Sequence, residues 1–393
     1  MAKKPAGKEK IAATGRKRAT TQQARSTSRG SKTPTAEKIV GLAESVVASA
    51  KKRRDPAIEI PLRTLSNAEY NKAKRIIEMG GKTATRNFFD LNKAKTFMQT
   101  VLIASGCKRL IDEDKTVSIR GLYYLSKHTI PGTKEKTFDN QGDSDPVIED
   151  VEVALESLRE ELHVFASSRG TIAGNLTIVS KGDEIDLRRM GAGGFGIPGI
   201  VEPDVLKLKR CNARFILHVE KDTVWQRFNE DKFWKKHNCI LTHGNGQPPR
   251  GVRRLLHRMH HELKLPLYCL LDNDPWGYYI YSVIKQGSIN LAFESKRMAV
   301  PDARFIGVRS HDYEEYGLSD DVKIAIDDKD IKRAKQILAY PWFQGKREWK
   351  KEIEAMLKHG FKMEVESLLT KSISFVTETY MPQRLRQRSK WLD

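Results

Sequence analysis

The residues of this sequence best suited to chemistry are acidic side chains that follow apolar runs. Glu220 ends the run ARFILHVE, and Asp272 and Asp274 follow the run LPLYCLL. Converging carboxylates offer the hard oxygen ligands that Mg²⁺ prefers and leave positions for water and substrate phosphate. Each acid taken alone is better explained as a strand-end residue that caps the next helix. Together they indicate a magnesium site, because both runs belong to one alternating pattern of strands and helices.

A second candidate is a tyrosine in the segment TVSIRGLYYLSKHT. A phenol titrates near a pKa of ~10, so as a nucleophile toward phosphate it needs a nearby cation and a base or metal. Arg120 precedes Tyr124 by four residues, which on a helix places both on one face. That spacing lets the guanidinium hold the phosphate that Tyr124 attacks, whereas Tyr123 is expected to point inward. The alternative is that both tyrosines only pack a helical module.

The glycine-rich segment THGNGQPPRGVRRLL is a third candidate. Gly244 and Gly246 permit close backbone approach, and Arg250, Arg253 and Arg254 are candidate contacts to DNA phosphate. A solvated basic helix face explains each arginine equally well.

The elements that position the acids lie in residues 167–393. Three apolar, strand-like runs alternate there with helical stretches, which predicts a mainly parallel sheet flanked by helices. In such α/β sheets, functional groups gather at the carboxyl ends of the strands. Glu220, Asp272 and Asp274 are therefore expected at one edge of the sheet.

Residues 61–166 are predicted to form a helical module. We expect helices in residues 67–80, in residues 86–106 with Gly106 at the end, after Ser118 as an N-cap, and in residues 145–163. Basic residues are interleaved with these helices, which favours a helix-turn-helix or winged-helix DNA-binding domain. The chain as a whole is then α+β, with a helical domain followed by an α/β domain.

The net charge of +20 favours a polyanionic partner such as double-stranded DNA. Residues 1–55 hold fifteen basic and four acidic residues, or 15 − 4 = +11, which leaves 20 − 11 = +9 for the rest. Residues 1–60 are interpreted as a basic, largely disordered extension with a short helix over residues 36–50. Its role as a solubilising arm or a DNA arm stays open. Lacking an apolar run of about 18 residues and a secretory signal, the chain is expected in the cytoplasm, at the nucleoid, and not in a membrane.

The order of these motifs resembles a known family. An apolar strand ending in Glu220, followed by an apolar strand and Asp272-x-Asp274-x-x-Gly277, resembles the Toprim domain of topoisomerases, primases and some nucleases. Residues 62–385 as a whole resemble A subunits of DNA topoisomerase VI, which are related to the meiotic double-strand-break proteins. The matching stretches are Arg120-x-x-Tyr123-Tyr124, GDEIDLRRMGAGG, VEKDTVWQRF, GNGQPP and DNDPWGYYIYSVIKQGS.

The resemblance implies that Tyr124 is the nucleophile that joins a DNA 5′ end, with Arg120 as a helper at the phosphate. It implies Glu220, Asp272 and Asp274 as Mg²⁺ ligands. It also implies a homodimer in which the tyrosine of one protomer reaches the metal site of the other, and a GHKL-type ATPase B subunit in an A2B2 heterotetramer. ATP would drive passage of a second duplex through the break.

One departure from the family pattern is Gly121, since an acidic residue usually follows the motif arginine. An external ATPase agrees with the lack of a G-x-x-x-x-G-K-[ST] loop in the sequence. The stretch GAGGFG at residues 191–196 is rejected as a nucleotide site, because Pro198 prevents a helix from opening there.

Two functions of other classes remain as alternatives. One is a Toprim nuclease that cuts DNA with metal-bound water and forms no covalent intermediate. The other is a non-enzymatic DNA-binding protein, suggested by the basic extension and the winged-helix-like module.

Overall fold

The computed structural model describes residues 34–166 and 168–393 of the chain. The α-helices are α1 (Pro34–Lys51), α2 (Leu91–Asp112), α3 (Ile119–Ser126), α4 (Gln141–Ala154), α5 (Asp222–Glu230), α6 (Phe233–Lys236), α7 (Arg250–Leu263), α8 (Pro275–Gln286), α9 (Ser295–Met298), α10 (Asp312–Glu315), α11 (Asp328–Ala339), α12 (Arg347–His359) and α13 (Met381–Arg386). The strands are β1 (Ala57–Pro61), β2 (Ala68–Asn71), β3 (Ile76–Met79), β4 (Thr83–Asn87), β5 (Val117–Ser118), β6 (Val164–Phe165), β7 (Thr171–Gly174), β8 (Leu176–Ser180), β9 (Asp183–Asp186), β10 (Phe195–Gly196), β11 (Leu206–Cys211), β12 (Phe215–Val219), β13 (Cys239–His243), β14 (Leu267–Leu270), β15 (Arg304–Phe305), β16 (Ile324–Ala325) and β17 (Phe361–Lys362).

A six-stranded sheet in the order β10-β7-β13-β12-β14-β15 organises the C-terminal part. The strands β13, β12, β14 and β15 run parallel, and β7 and β10 pair antiparallel at the other side. Every residue of β12 and β13 is buried, as in strands that are covered on both faces. Ile216 and Ile240 pack into one apolar cluster, and Leu217 and Leu241 pack into another. The predicted mainly parallel sheet flanked by helices is confirmed.

Three mutually packed helices, α2, α3 and α4, form the core of the N-terminal part. Leu122 of α3 is buried among Ile103 of α2 and Ile148 of α4. Ser118 caps α3 as predicted, since its Oγ accepts a hydrogen bond of 3.0 Å from the backbone N–H of Gly121. The helical module is present, while its assignment as a winged helix stays a prediction.

The helix expected over residues 67–80 is wrong. The strands β2 and β3 form an antiparallel hairpin there, and Ile77 packs into the core beside the six-stranded sheet. Asn67 holds the base of the hairpin, because its side chain bonds the carbonyls of Leu62 and Lys82 at 2.9 and 3.0 Å. Helix propensity was weak evidence here, since burial against distant residues decides between helix and strand.

The end of α2 was also predicted wrongly. The helix continues past Gly106 to Asp112. A Cβ at Gly106 would lie 3.0 Å from Cδ1 of Leu122, so the glycine permits close packing of α3 against α2. Here glycine marks a helix contact and not a helix end.

Residues 34–60 were expected to be largely disordered apart from one short helix, but most of them form a helix and a strand. The predicted helix over residues 36–50 is confirmed as α1, whose Ala36 and Ile39 are buried, and β1 buries Ile58 and Ile60. Residues 1–33 lie outside the described residues. Over residues 34–166 and 168–393, no helix has the length and apolar character that a membrane crossing requires.

Candidate active site

The three predicted acids lie at the same edge of the sheet. Strands β12 and β14 pair in parallel with Val219 opposite Leu270, so the residues that follow them emerge side by side. Glu220 comes directly after β12, and the backbone N–H of Asp272 donates to its Oε2 at 3.1 Å. Asp274 begins α8 as its N-cap, and its Oδ1 accepts a hydrogen bond of 2.5 Å from the N–H of Gly277. The strand order therefore brings distant carboxylates together.

Burial makes ionisation of the carboxyl groups at this edge unfavourable. Glu220 is 7% exposed and Asp272 is 2% exposed. Burial, with the charge of Asp272 added, raises the pKa of Glu220 to about 8. Burial also raises the pKa of Asp272 to about 7, although Lys221 opposes it, and raises the pKa of Asp274. Carboxyls that resist ionisation in this way are stabilised as carboxylates by a cation.

The donor set suits a hard divalent cation that keeps several waters. Within residues 34–166 and 168–393, the one trio of possible ligands with all atoms inside 4.8 Å is His311, Asp312 and Glu315. That trio is already matched by cations, since Arg384 pairs with Asp312 and Lys390 pairs with Glu315. The acids at the sheet edge are spread more widely. Such spacing fits Mg²⁺, which binds through one or two carboxylates plus water and phosphate.

Lys221 is a member of the site that the sequence analysis missed. Its Nζ lies 3.1 Å from Oδ2 of Asp272, 2.9 Å from Oε1 of Glu364 and 3.3 Å from Oε2 of Glu366. The N–H of Val365 donates to Oδ1 of Asp272 at 2.8 Å. Adjacency to Glu220 was a usable signal for Lys221. Residues 364–366 gave no signal, because they lie more than 90 positions from Asp272 in the chain.

Tyr124 lies on the exposed face of α3. Its side chain is 59% exposed, and within the described part of the chain its phenol oxygen has no hydrogen-bond partner. The Cζ of Arg120 lies 5.9 Å from the centre of the Tyr124 ring, as the four-residue spacing predicted. Tyr123 points inward as expected, and its hydroxyl donates to the carbonyl of Asp139 at 3.2 Å. The two neighbouring tyrosines thus have different surroundings.

Gly121 has a steric reason to lack a side chain. A Cβ at this position would overlap Cγ2 of Val117, which packs at the start of α3. An acidic side chain after Arg120 would therefore require Val117 to move.

The three arginines of the glycine-rich segment face the protein and not solvent. Nη1 of Arg250 contacts Oε2 of Glu152 at 2.7 Å, and its other nitrogen pairs with Glu294. Arg254 bonds Glu202 at 2.8 Å. Buried Arg253 is so desolvated that its pKa falls to about 10. The predicted DNA contacts of Arg250 and Arg253 are corrected, because both side chains are buried, while Arg254 is partly exposed and paired with Glu202.

The glycine-rich turn itself does reach the acidic edge. The backbone N–H of Gly246 donates to the carbonyl of Glu220 at 2.9 Å. A Cβ at Gly244 would lie 2.7 Å from Cα of Pro248, so the turn needs glycine for close backbone packing. The segment thus supports Glu220 through its backbone.

Family models and similar proteins of known name point to the same family. Residues 215–385 match the family model for the Toprim domain of the topoisomerase 6 A subunit and Spo11, and residues 95–164 match the model "Type IIB DNA topoisomerase". The A subunit of type 2 DNA topoisomerase 6 from Pyrococcus abyssi is 41% identical over 360 residues, which are 89% of this chain and 94% of that protein. The protein of the same name from Methanocaldococcus jannaschii is 35% identical, over 91% of this chain and 95% of that protein.

The likeness extends to a plant protein. The A3 subunit of DNA topoisomerase 6 from Oryza sativa subsp. indica is 34% identical over 335 residues, which are 85% of this chain and 73% of that protein. These identities span the module that carries Tyr124 as well as the Toprim sheet. The chain belongs to the family of topoisomerase 6 A subunits, within the type IIB DNA topoisomerases.

Proposed function

We propose that this chain is the DNA-cleaving subunit of an ATP-dependent type IIB topoisomerase and that Tyr124 is its nucleophile. The observation that carries the proposal is the exposed phenol of Tyr124 beside the guanidinium of Arg120 on one face of α3. A phenol used only for packing would be buried, as that of Tyr123 is. An exposed phenol beside a cation is suited to meet a phosphate.

The reaction is a transesterification. The Tyr124 oxygen forms a bond to a backbone phosphorus, the bond from phosphorus to the 3′ oxygen breaks, and the phenol proton leaves as the 3′ oxygen gains one. Arg120 holds a non-bridging oxygen of the phosphate during the attack. The phosphotyrosyl bond conserves the energy of the phosphodiester, so the reverse step religates DNA without ATP.

Glu220, Asp272 and Asp274 would hold Mg²⁺. Bound Mg²⁺ supplies a positive charge that stabilises the departing 3′ oxygen. The protein's contribution is to fix the acids at one sheet edge, through the Asp272 N–H on Glu220 and the Val365 N–H on Asp272. Lys221 balances part of their charge.

The assembly we propose is a homodimer in which Tyr124 of one protomer meets the acids of the other. Two such centres would cut both strands of double-stranded DNA. A GHKL-type ATPase B subunit would complete an A2B2 heterotetramer and use ATP to pass a second duplex through the break. Family membership supports this assembly. We place the enzyme in the cytoplasm at the nucleoid.

A cleavage assay with paired tyrosine variants tests the proposal. Supercoiled DNA is incubated with this chain, its ATPase partner, Mg²⁺ and an ATP analogue, and protein-linked DNA is measured after denaturation. Tyr124→Phe should abolish linked DNA, whereas Tyr123→Phe should retain it. Cutting by Tyr124→Phe without a covalent adduct would instead support the metal-dependent nuclease. No cleavage by the unaltered chain, with DNA binding unchanged when Asp272→Asn and Asp274→Asn are combined, would support the non-enzymatic DNA-binding protein.

A further inference from the structure

We propose that Glu352 is a positioning residue for metal binding, acting through Asn273 on the turn that carries Asp272 and Asp274. The inference rests on the metal site in the proposed function and assigns a role to a residue outside the acidic edge. Glu352 lies in α12, about eighty positions beyond the turn that it contacts.

Asn273 points away from the acids on both sides of it. Its backbone pairs with Met363 in both directions, at 2.8 and 3.1 Å, so this stretch is extended. Consecutive side chains of an extended segment point to opposite sides. Asn273 therefore lies on one side of the segment, where it is fully buried, and Asp272 and Asp274 share the other side. Hydrogen bonds that hold the Asn273 side chain therefore also restrict the backbone that carries both neighbouring carboxylates.

The Asn273 amide is held by a buried group of acceptors. Its Nδ2 donates to the Tyr278 hydroxyl at 2.7 Å, to Oε1 of Glu352 at 3.1 Å and to Oγ of Ser310 at 3.4 Å. The Tyr278 hydroxyl in turn lies 3.4 Å from Oε1 of Glu352. Oε1 of Glu352 thus accepts hydrogen bonds from both the Asn273 amide and the Tyr278 hydroxyl.

Glu352 is held by partners outside the turn that it contacts. It is 3% exposed, and its carboxylate accepts from the Ser310 N–H at 2.7 Å and from Nε of Arg309 at 2.8 Å. Burial by itself raises the pKa of Glu352, but Arg309 and the Ser310 N–H outweigh burial and hold that pKa below its usual value. An ionised, fully bonded carboxylate is a rigid acceptor for Asn273.

These contacts hold Asp272 and Asp274 in position for a cation before the cation binds. Residues bonded directly to metal ligands typically change metal affinity by about 10–100-fold when they are removed. Glu352 acts one residue further away, through Asn273, so its effect is expected at the lower end of that range. A contribution only to folding would lower thermal stability and leave the affinity of the folded protein unchanged. The two roles are therefore separable by measurement.

The test measures Mn²⁺ binding to the full chain by electron paramagnetic resonance, with thermal melting of the same metal-free samples. Glu352→Gln should weaken Mn²⁺ binding by roughly tenfold. Tyr278→Phe, which keeps the buried ring and removes one oxygen, should weaken it by a smaller factor. The matched control is Glu354→Gln on the same helix, whose exposed partner is Lys350, and it should bind as the unaltered chain does.

The outcomes separate this inference from the metal site itself. Unchanged affinity in folded Glu352→Gln overturns the positioning role. If that variant does not fold, Asn273→Ala decides, because it removes the amide that Glu352 accepts and keeps both carboxylates; unchanged Mn²⁺ affinity in folded Asn273→Ala overturns the positioning role. Asp272→Asn is measured in parallel and should lose Mn²⁺ binding. If Asp272→Asn binds Mn²⁺ normally, the proposed metal site is refuted and the role of Glu352 falls with it.

Discussion

The backbone N–H of Asp272 donates a hydrogen bond to Oε2 of Glu220 across 3.1 Å, although 52 positions of the chain separate the two residues. This bond joins the ends of the neighbouring parallel strands β12 and β14. It holds the Glu220 carboxylate against the backbone of Asp272, whose own side chain is the second acid of the site. The two acids consequently respond together to protons and to cations.

Cation binding at these acids should strengthen as the pH rises from about 6 to 9. The pKa values of Glu220, about 8, and Asp272, about 7, mean that the metal-free site holds protons near neutral pH. Binding of Mg²⁺ must release them. Calorimetry in buffers of different protonation enthalpy measures this release, and an affinity that is independent of pH over the range would contradict it.

The raised pKa values of Glu220 and Asp272 also determine how the stability of the fold changes with pH. A carboxyl whose pKa is higher in the folded than in the unfolded protein stabilises the fold at low pH, and this stabilisation is lost as the pH rises through the folded pKa. The melting temperature of the metal-free chain should therefore receive a falling contribution from this pair between about pH 5 and 8, and Mg²⁺ should reverse it. Asp272→Asn should make this Mg²⁺ effect disappear.

Replacing Arg120 should reduce DNA cleavage without unfolding the protein. A hydrogen bond to a charged group contributes about 1.5–3 kcal/mol, so Arg120→Gln should lower the cleavage rate by roughly 10–100-fold. Arg120→Lys should recover part of the rate, because it keeps the charge but not the planar fork. The control is Arg109→Gln, an exposed arginine paired with Glu113 in α2. Equal cleavage by Arg120→Gln and the unaltered chain would exclude the assigned role.

Arg250 should matter for stability and not for DNA affinity. Removing one partner of a buried ion pair costs about 3–5 kcal/mol, so Arg250→Met should lower the stability by that order. Adding Glu294→Gln should recover part of it, because Glu294 is the buried acid left without a cation, whereas Glu152 keeps its pair with Arg159. Lys351→Met, from the exposed pair with Glu348, should leave the stability nearly unchanged, because solvent screens that pair.

Chemical denaturation measures the free energies of unfolding of these variants. The DNA affinity of Arg250→Met is measured separately, as a function of salt concentration. An unaltered stability together with a shallower salt dependence in Arg250→Met would restore this arginine as a DNA contact.

Adding a side chain at Gly121 should destabilise α3. The new Cβ overlaps Val117, and overpacking of this kind costs about 1–3 kcal/mol. Gly121→Ala should therefore lower the melting temperature, and the double variant with Val117→Ala should recover it. If Gly121→Ala alone melts like the unaltered chain, sterics do not explain the glycine.

Deleting residues 1–33 should weaken DNA binding and flatten its salt dependence. These residues hold ten basic side chains and one acid, or 10 − 1 = +9. Each phosphate that they neutralise contributes about 0.9 to the slope of log affinity against log salt. The deletion ends at residue 33 because α1 packs onto the folded protein. A tail with its basic residues changed to Gln is the control for length, and it should behave like the deletion.

Local patterns in the sequence determined the positions of the main chemical groups. The apolar runs before Glu220 and Asp272 predicted parallel strands, because strands covered on both faces are apolar throughout. The angle between successive residues of a helix separated exposed Tyr124 from buried Tyr123. The apolar character of a buried strand and the geometry of a helix are expressed over a few consecutive residues, so the sequence contains them directly.

The tertiary structure decided which distant residues meet those groups. Residues 68–79 form a hairpin because Ile77 packs into a remote core, and Arg250 is enclosed because Glu152 lies opposite it. Lys221 meets Glu364 and Glu366, and Asn273 meets Glu352. Apart from Lys221, which adjoins Glu220, none of these partners has a local signal. Their contacts depend on the packing of elements far apart in the chain, where burial outweighs the preferences of single residues.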